Sequence, residues 1–115
     1  MDKNLIQKNF LDGPLEIVKG LEDMKFLEDS DAILTVELNK ENQDVEWFKD
    51  GVKIRSEPKR RIFSSGKVYT LRLNEINPKE SAGKYTFRVK DLETSGELSV
   101  NGKYLYRFNI FKINF

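Results

Sequence analysis

The feature of this sequence that most constrains its fold is a two-residue alternation of apolar and polar side chains, repeated in short runs. The run AILTVEL at 32–38 puts its leucines and valine on one face and Ile33, with two polar residues, on the other. VYTLRL at 68–73 and KYTFRV at 84–89 alternate in the same way. A strand that buries one face and solvates the other produces this period, whereas a helix repeats every 3.6 residues.

Shorter apolar runs and turn signals extend the pattern along the chain. VEWFK at 45–49 places Trp47 and Phe48 on opposite faces, and Asp-Gly at 50–51 is a strong signal for a tight turn. VKI at 52–54 continues with its two apolar residues in phase. The result is about eight short strands at close spacing without a helical period, which predicts an all-β antiparallel sandwich or barrel.

The strand phases also predict which side chains form the core. Trp47 shares the phase of Val45, so a buried position is favoured over a ligand platform. Five core residues are expected: Val36, Trp47, Leu71, Tyr85 and Phe87. Phe48 points away from that core, and two interpretations stay open: a scattered surface aromatic, or a contact with a partner protein.

Two residue types are missing, and their absence removes whole classes of chemistry. The chain contains no cysteine and no histidine, so disulfides, thiol nucleophiles, Cys/His zinc sites and histidine acid–base catalysis are excluded. A small β domain without cysteine also favours a reducing compartment. The N-terminal MDKNLIQKNF has no continuous apolar segment, so it predicts no secretory signal and a soluble cytoplasmic protein.

The charges are balanced, which bears on the class of partner. Lys and Arg number 20 and Asp and Glu 19, for a net charge of +1. Nucleic-acid and membrane-surface modules carry an excess of basic residues, so neither partner is expected. EPKRR at 57–61 is interpreted as a solvated loop rather than a nuclear signal or a phosphate patch.

Two stretches begin like ligand-binding motifs but lack essential parts. SSGK at 64–67 has the end of a phosphate-binding loop without its leading glycine or the helix that follows. DSDAILTVELNK at 29–40 begins like a calcium loop but lacks the central glycine and ends in Lys40, where a bidentate glutamate is required. Carboxylate pairs lie in charged turns with no nucleophile beside them. We therefore expect no catalytic residue, no cofactor and no metal.

Composition divides the chain into three segments. Residues 1–13 are polar with scattered apolar side chains and are expected to be a leader or linker. Residues 14–100 hold the predicted strands. Residues 101–115 form a tail that alternates like a further strand and is too short to span a membrane. Its role stays open among an extra strand, an anchor for a partner, a peripheral lipid contact and an unselected, disordered tail.

The order of marks within 14–100 carries a family resemblance. Trp47 is followed by Lys-Asp-Gly, then by YTLRL, a polar corner, and a glycine, a tyrosine and a phenylalanine at alternate positions, Gly83, Tyr85 and Phe87. The segment resembles the immunoglobulin fold, specifically an I-set domain of the titin, twitchin, obscurin and myosin-binding protein C kind. This implies a two-sheet β-sandwich of about seven to nine strands.

The resemblance also assigns strands and positions. Strand B falls at 32–38, C at 45–49, E at 67–73, F at 84–89 and G at 95–100. It implies that Tyr85 bonds its hydroxyl to the backbone of the E–F corner and that Gly83 supplies the backbone geometry there. The family's two cysteine positions fall on Val36 and Phe87, so packing beside Trp47 would replace the disulfide.

One position departs from the family pattern. The family often has an acidic residue two positions before the corner glycine, where this chain has Ser81. Either Ser81 replaces it, or the corner is one residue longer and Glu80 serves. For the same reason, the identity of the acidic residue that usually pairs with a basic residue near strand D, here Arg60 or Arg61, stays open.

The function that the resemblance implies is a non-enzymatic structural and interaction module of a sarcomeric or cytoskeletal scaffold, located in the cytoplasm at the myofibril or cytoskeleton. Its partners would be proteins such as myosin, actin or neighbouring immunoglobulin and fibronectin modules. The alternative is a ligand-binding immunoglobulin domain of an adhesion or signalling receptor, which usually carries a signal peptide and a disulfide. A module of this length is expected to be a fragment or small isoform of a longer multidomain chain.

Overall fold

A computed structural model describes residues 13–102, which form nine strands and one short helix. The strands are β1 (Ile17–Lys19), β2 (Met24–Leu27), β3 (Ala32–Leu38), β4 (Glu46–Lys49), β5 (Val52–Lys53), β6 (Arg60–Ser65), β7 (Val68–Leu73), β8 (Gly83–Val89) and β9 (Leu92–Asn101). The helix α1 (Pro78–Ser81) lies between β7 and β8. In β3 every second side chain is buried, as its alternating sequence requires.

The strands form two sheets that enclose one core. One sheet has the order β1–β3–β7–β6 and the other the order β2–β9–β8–β4–β5. The pairs are antiparallel except for β2 and β9, which run parallel from Met24 opposite Leu98 to Leu27 opposite Asn101. The prediction of an all-β, immunoglobulin-like two-sheet sandwich without a disulfide is confirmed.

The core is filled by alternate residues of both sheets. Val36, Trp47, Leu71, Tyr85 and Phe87 are all buried. The Phe87 ring centre lies 5.0 Å from that of Trp47 in an edge-to-face arrangement and 5.9 Å from that of Tyr69. Edge-to-face aromatic pairs are favourable beyond the area they bury. Phe87 therefore fills space beside Trp47, as the resemblance implied.

The expectation for strand G was wrong at its start. Leu92, not residue 95, begins β9, because Val89 pairs with Leu92 and leaves only Lys90 and Asp91 in the turn. Lys90 has a φ of 54°, as two-residue hairpin turns require. Such turns are usually signalled by Asn-Gly or Asp-Gly, and Lys-Asp gives no comparable signal.

Val52 and Ile54 lie in phase but differ in exposure. Val52 is 70% exposed and Ile54 only 3%. β5 ends at Lys53, and the backbone N–H of Ile54 donates to the carbonyl of Trp47 at 2.8 Å. This bond continues the register in which Val52 lies opposite Lys49, so Ile54 lies opposite the buried Trp47 and Val52 lies beside the turn.

Two further segments contain more regular structure than expected. The predicted loop at 57–61 ends early, because β6 begins at Arg60. The polar corner after β7 contains the single turn of α1, which is too short to show a helical period in sequence. Ile76, in the same corner, is buried. The corner therefore closes one end of the core with an apolar side chain.

Candidate functional site

The corner between β7 and β8 is fixed by the Tyr85 side chain. Its hydroxyl donates to the carbonyl of Ser81 at 2.6 Å, and the residue is almost completely buried. Burial raises the pKa of Tyr85 to about 12, and the negative charge of Asp50 acts in the same direction, whereas Arg60 lowers it. The hydroxyl is thus a neutral donor at ordinary pH, with a structural role.

The start of the helix at this corner is capped by side chains at both ends of its single turn, Asn77 and Ser81. The Asn77 side chain accepts from the N–H of Glu80 at 2.7 Å, and the Ser81 hydroxyl accepts from the N–H of Asn77 at 3.0 Å. The Glu80 carboxylate accepts from the Asn77 amide at 3.3 Å. Ser81 and Glu80, the two candidates for the family's acidic position, therefore both form hydrogen bonds within the corner. The Ser81 hydroxyl bonds the backbone N–H of Asn77 there. Among residues 13–102, neither Ser81 nor Glu80 is joined to Arg60 or Arg61 by an ion pair or hydrogen bond.

Gly83 stands at the start of β8 against the Asp50 carboxylate. Its φ is 151°, and a Cβ there would lie 2.6 Å from Asp50 Oδ2. That carboxylate accepts from the N–H of Lys84 at 2.9 Å and from the ammonium of Lys49 at 3.1 Å. These bonds, the Lys84 one first, lower the pKa of Asp50. Glycine is needed here both for its backbone angle and for the close approach of a carboxylate.

Phe48, the predicted candidate for partner contact, lies on the outer face of the five-stranded sheet. It is half-buried, and the Arg88 guanidinium lies over its ring, 4.6 Å from the ring centre. Arg88 also pairs with Glu93 at 3.4 Å. Lys53, opposite Phe48 on β5, pairs with Glu46 at 3.2 Å. Phe48 is therefore an aromatic partly covered by a paired cation rather than an open apolar patch.

The more open apolar surface is on the other sheet, where the sequence interpretation placed no candidate. Phe63 is 51% exposed and Ile33 is 54% exposed. In the register of the sheet, Ile33, Arg72 and Arg61 form one row, and Thr35, Thr70 and Phe63 form a second row. One sequence signal did indicate this surface: the alternation at 32–38 put the apolar Ile33 on the outer face of β3, out of phase with the core.

A shallow depression of about 600 Å³ lies beside Phe63, where the segment after β5 folds against β6. We call it the Phe63 cleft. Its lining residues are Ser56, Glu57, Pro58, Arg61, Ile62, Phe63 and Arg72. The N–H of Ile62 donates to the Ser56 hydroxyl at 3.2 Å, and Glu57 and Arg60 exchange backbone hydrogen bonds of 2.8 and 3.0 Å. These bonds close the edge of β6 along the cleft.

Over residues 13–102, no group of three or more His, Cys, Asp and Glu side chains is placed to hold a metal ion. Within the same range, no helix is long and apolar enough to cross a membrane.

Comparison with known proteins places this architecture in a family. Residues 15–101 match the family model described as the immunoglobulin I-set domain. The chain belongs to the I-set family. Over 86 residues this I-set chain is 38% identical to titin of Drosophila melanogaster, a match that covers 74% of this chain and, rounded, 0% of titin. Over 94 residues it is 34% identical to the fast-type myosin-binding protein C of Gallus gallus, covering 80% of this chain and 8% of the relative.

Solved structures give the same result for the fold. A crystal structure of the I9-I11 tandem from titin superposes on the I-set domain with a TM-score of 0.74 at 32% identity. The match covers 77% of this chain and 34% of that chain. The I-set chain spans less than a tenth of the length of the titin and of the myosin-binding protein C compared above.

Proposed function

We propose that this I-set domain is a non-enzymatic, load-bearing structural and protein-interaction module of a sarcomeric or cytoskeletal scaffold protein. Its similarity to titin and to a myosin-binding protein C supports a place on muscle filaments. The name of the second relative makes myosin the first partner to test, followed by actin and by neighbouring immunoglobulin or fibronectin modules.

The parallel pairing of β2 with β9 is the observation that carries the load-bearing role. The chain enters β1 beside Leu38, and it leaves β9 beside Leu27, at the opposite end of the sandwich. Tension along the chain therefore pulls β2 and β9 in opposite directions along their own axes. The residue pairs from Met24–Leu98 to Leu27–Asn101 are then sheared together instead of opening one after another.

Side chains also tie the segment before β2 to β9. The N–H of Leu21 donates to the Thr94 hydroxyl at 2.9 Å. The N–H of Glu97 donates to the Asp23 carboxylate at 2.8 Å. These bonds lie on the same load path, so they resist the separation of the two strands.

Force spectroscopy on single molecules tests this role. Glu28→Pro removes the backbone N–H that donates to the carbonyl of Asn101 at 2.8 Å, at the end of β2, and should lower the unfolding force. Val52→Pro, in the short edge strand β5 outside the load path, is the matched control and should leave that force unchanged. Equal losses of force in both variants would contradict the proposed load path.

A cytoplasmic location, at the myofibril or cytoskeleton, is part of the proposal. The positions where the family carries its cysteines are Val36 and Phe87, both fully buried and apolar here. Folding of this domain therefore requires no oxidising compartment. A pull-down from muscle extract should recover filament proteins, and recovery of membrane receptors alone would contradict the scaffold role.

A further inference from the structure

The Phe63 cleft combines an exposed aromatic ring with an exposed cation, Arg61. Phe63 and Arg61 are two positions apart on β6, so both side chains project from the outer face. In the part of the chain that the structure describes, the Arg61 side chain makes no hydrogen bond or ion pair. Phe63 and Arg61 can therefore contact an apolar group and an anion that lie side by side on a ligand.

Among the described residues, the carboxylates near Arg61 leave its charge unpaired. Arg72 lies directly opposite Arg61 on β7, and like charges opposite each other in a sheet are destabilising. Arg72 is already neutralised by Asp31, at 2.9 Å, and bonds Asn74 at 3.1 Å. Glu57 lines the same cleft but forms no ion pair with either arginine, since no N–O distance within 4.0 Å joins them. A carboxylate from outside is the complement that Arg61 lacks.

We propose that the Phe63 cleft binds an extended, acidic segment of a partner protein, with an aspartate or glutamate on Arg61 and an apolar side chain on Phe63. Residues two apart in an extended peptide lie on one face, about 6.5–7 Å apart, which equals the spacing of Arg61 and Phe63 along β6. The segment recognised therefore has the pattern Asp/Glu-x-apolar. The inference rests on the proposed interaction role and names its surface.

The contacts around the cleft favour this occupant over others. The β6 edge is closed there by Ser56 and Glu57, so the peptide docks through its side chains rather than as an added strand. Residues 103–115 of this chain contain Lys103, Arg107 and Lys112 but no aspartate or glutamate, so their side-chain charges do not complement Arg61.

A nuclear magnetic resonance titration of the full chain tests the proposal. The probe is a ten-residue synthetic peptide, blocked at both ends, with one Glu and one Phe two positions apart in a Gly/Ser background. Its twin has Lys in place of Glu. The acidic peptide should shift the amide signals of residues 61–64 and bind about tenfold more tightly than the twin. Its binding should weaken when salt is added.

Variants at exposed positions keep the test independent of folding. Arg61→Gln and Phe63→Ser should each weaken binding of the acidic peptide about tenfold, whereas Arg88→Gln on the Phe48 face should not change it. Equal binding of the lysine twin, or shifts confined to the Phe48 face, overturns the proposal. So does occupancy of the cleft by a peptide of residues 103–115, or concentration-dependent broadening at 61–64 that shows a second copy there. If the Arg61→Gln variant captures the same filament proteins as the wild type, the cleft assignment is overturned and the scaffold role is left intact.

Discussion

The hydroxyl of Tyr85 donates a 2.6 Å hydrogen bond to the backbone carbonyl of Ser81, four residues earlier in the chain. Ser81 ends α1, and Tyr85 belongs to β8, so the bond spans the corner at which the chain crosses from one sheet to the other. The same serine holds the start of the helix through the N–H of Asn77. Ser81 thus joins a buried aromatic residue to a helix cap.

Tyr85→Phe is expected to lower the free energy of unfolding by about 1–2 kcal/mol, because it removes this hydrogen bond and leaves the Ser81 carbonyl without that donor. Urea denaturation at neutral pH measures the change. Amide signals of α1 should shift, while those of β5 stay in place. An unchanged denaturation midpoint would show that the bond adds no net stability.

Alkaline pH should weaken the domain through the same residue. The pKa of Tyr85 is raised to about 12 in the folded state from an ordinary value of 10.0. Its contribution is therefore complete below pH 10, where both states keep the proton, and is lost as pH rises towards 12, because the unfolded chain releases the proton first. The stability advantage of wild type over Tyr85→Phe should shrink across this range. Urea unfolding of both proteins from about pH 9 to about pH 11 checks this, and a constant difference would contradict it.

Gly83→Ala is expected to destabilise the domain by about 2–4 kcal/mol, because alanine at a φ of 151° is strained and its Cβ would meet the Asp50 carboxylate. Asp50→Ala removes that neighbour. The cost of Gly83→Ala should therefore be at least about 1 kcal/mol smaller in the Asp50→Ala background, a coupling that a double-mutant cycle measures. Additive effects would mean that backbone strain alone requires the glycine.

The alternation of the sequence determines much of this architecture, since each strand with a clear period-two pattern lies where expected. Tyr85 and Gly83 were assigned by the spacing of a family motif, and the structure shows the contacts that motif implies. What could not be predicted depends on the pairing of strands distant in sequence. The row that joins Arg61, Arg72 and Ile33 exists only once β3, β7 and β6 are in register. Val52 is exposed although it is in phase with Ile54, because it lies beside the turn at the start of the edge strand β5.

The two carboxylates with lowered pKa values should respond differently to loss of their cations. The pKa of Asp31 is lowered first by its hydrogen bond from Arg72, then by the N–H of Glu75. That of Asp50 is lowered first by the N–H of Lys84 and only then by Lys49. Arg72→Ala should therefore raise the pKa of Asp31 by more than Lys49→Ala raises that of Asp50.

Carboxyl titrations by nuclear magnetic resonance measure both effects. Because both pKa values are lowered on folding, these groups stabilise the domain above the unfolded value near 3.8, and that contribution is lost as pH falls through the folded values. A return of Asp50 to its ordinary pKa in Lys49→Ala would show that the backbone bond is the lesser cause.

Trp47 and Phe63 are both large aromatic residues on strands, but truncating them should change the free energy of unfolding by very different amounts. Trp47 is fully buried against Phe87, so Trp47→Ala should lower the free energy of unfolding by about 3–5 kcal/mol, through lost burial and the cavity left behind. Phe63→Ala, at a half-exposed position, should change it by no more than about 0.5 kcal/mol.

Trp47→Phe separates packing from polarity at the core position. In residues 13–102 the indole N–H of Trp47 is buried without a hydrogen-bond partner, so phenylalanine removes an unsatisfied donor while it keeps an aromatic ring beside Phe87. Its cost should therefore be well below that of Trp47→Ala. Chemical denaturation of the three variants gives the order directly. If Trp47→Phe proved as costly as Trp47→Ala, the indole N–H would have a partner in solution, such as a buried water molecule.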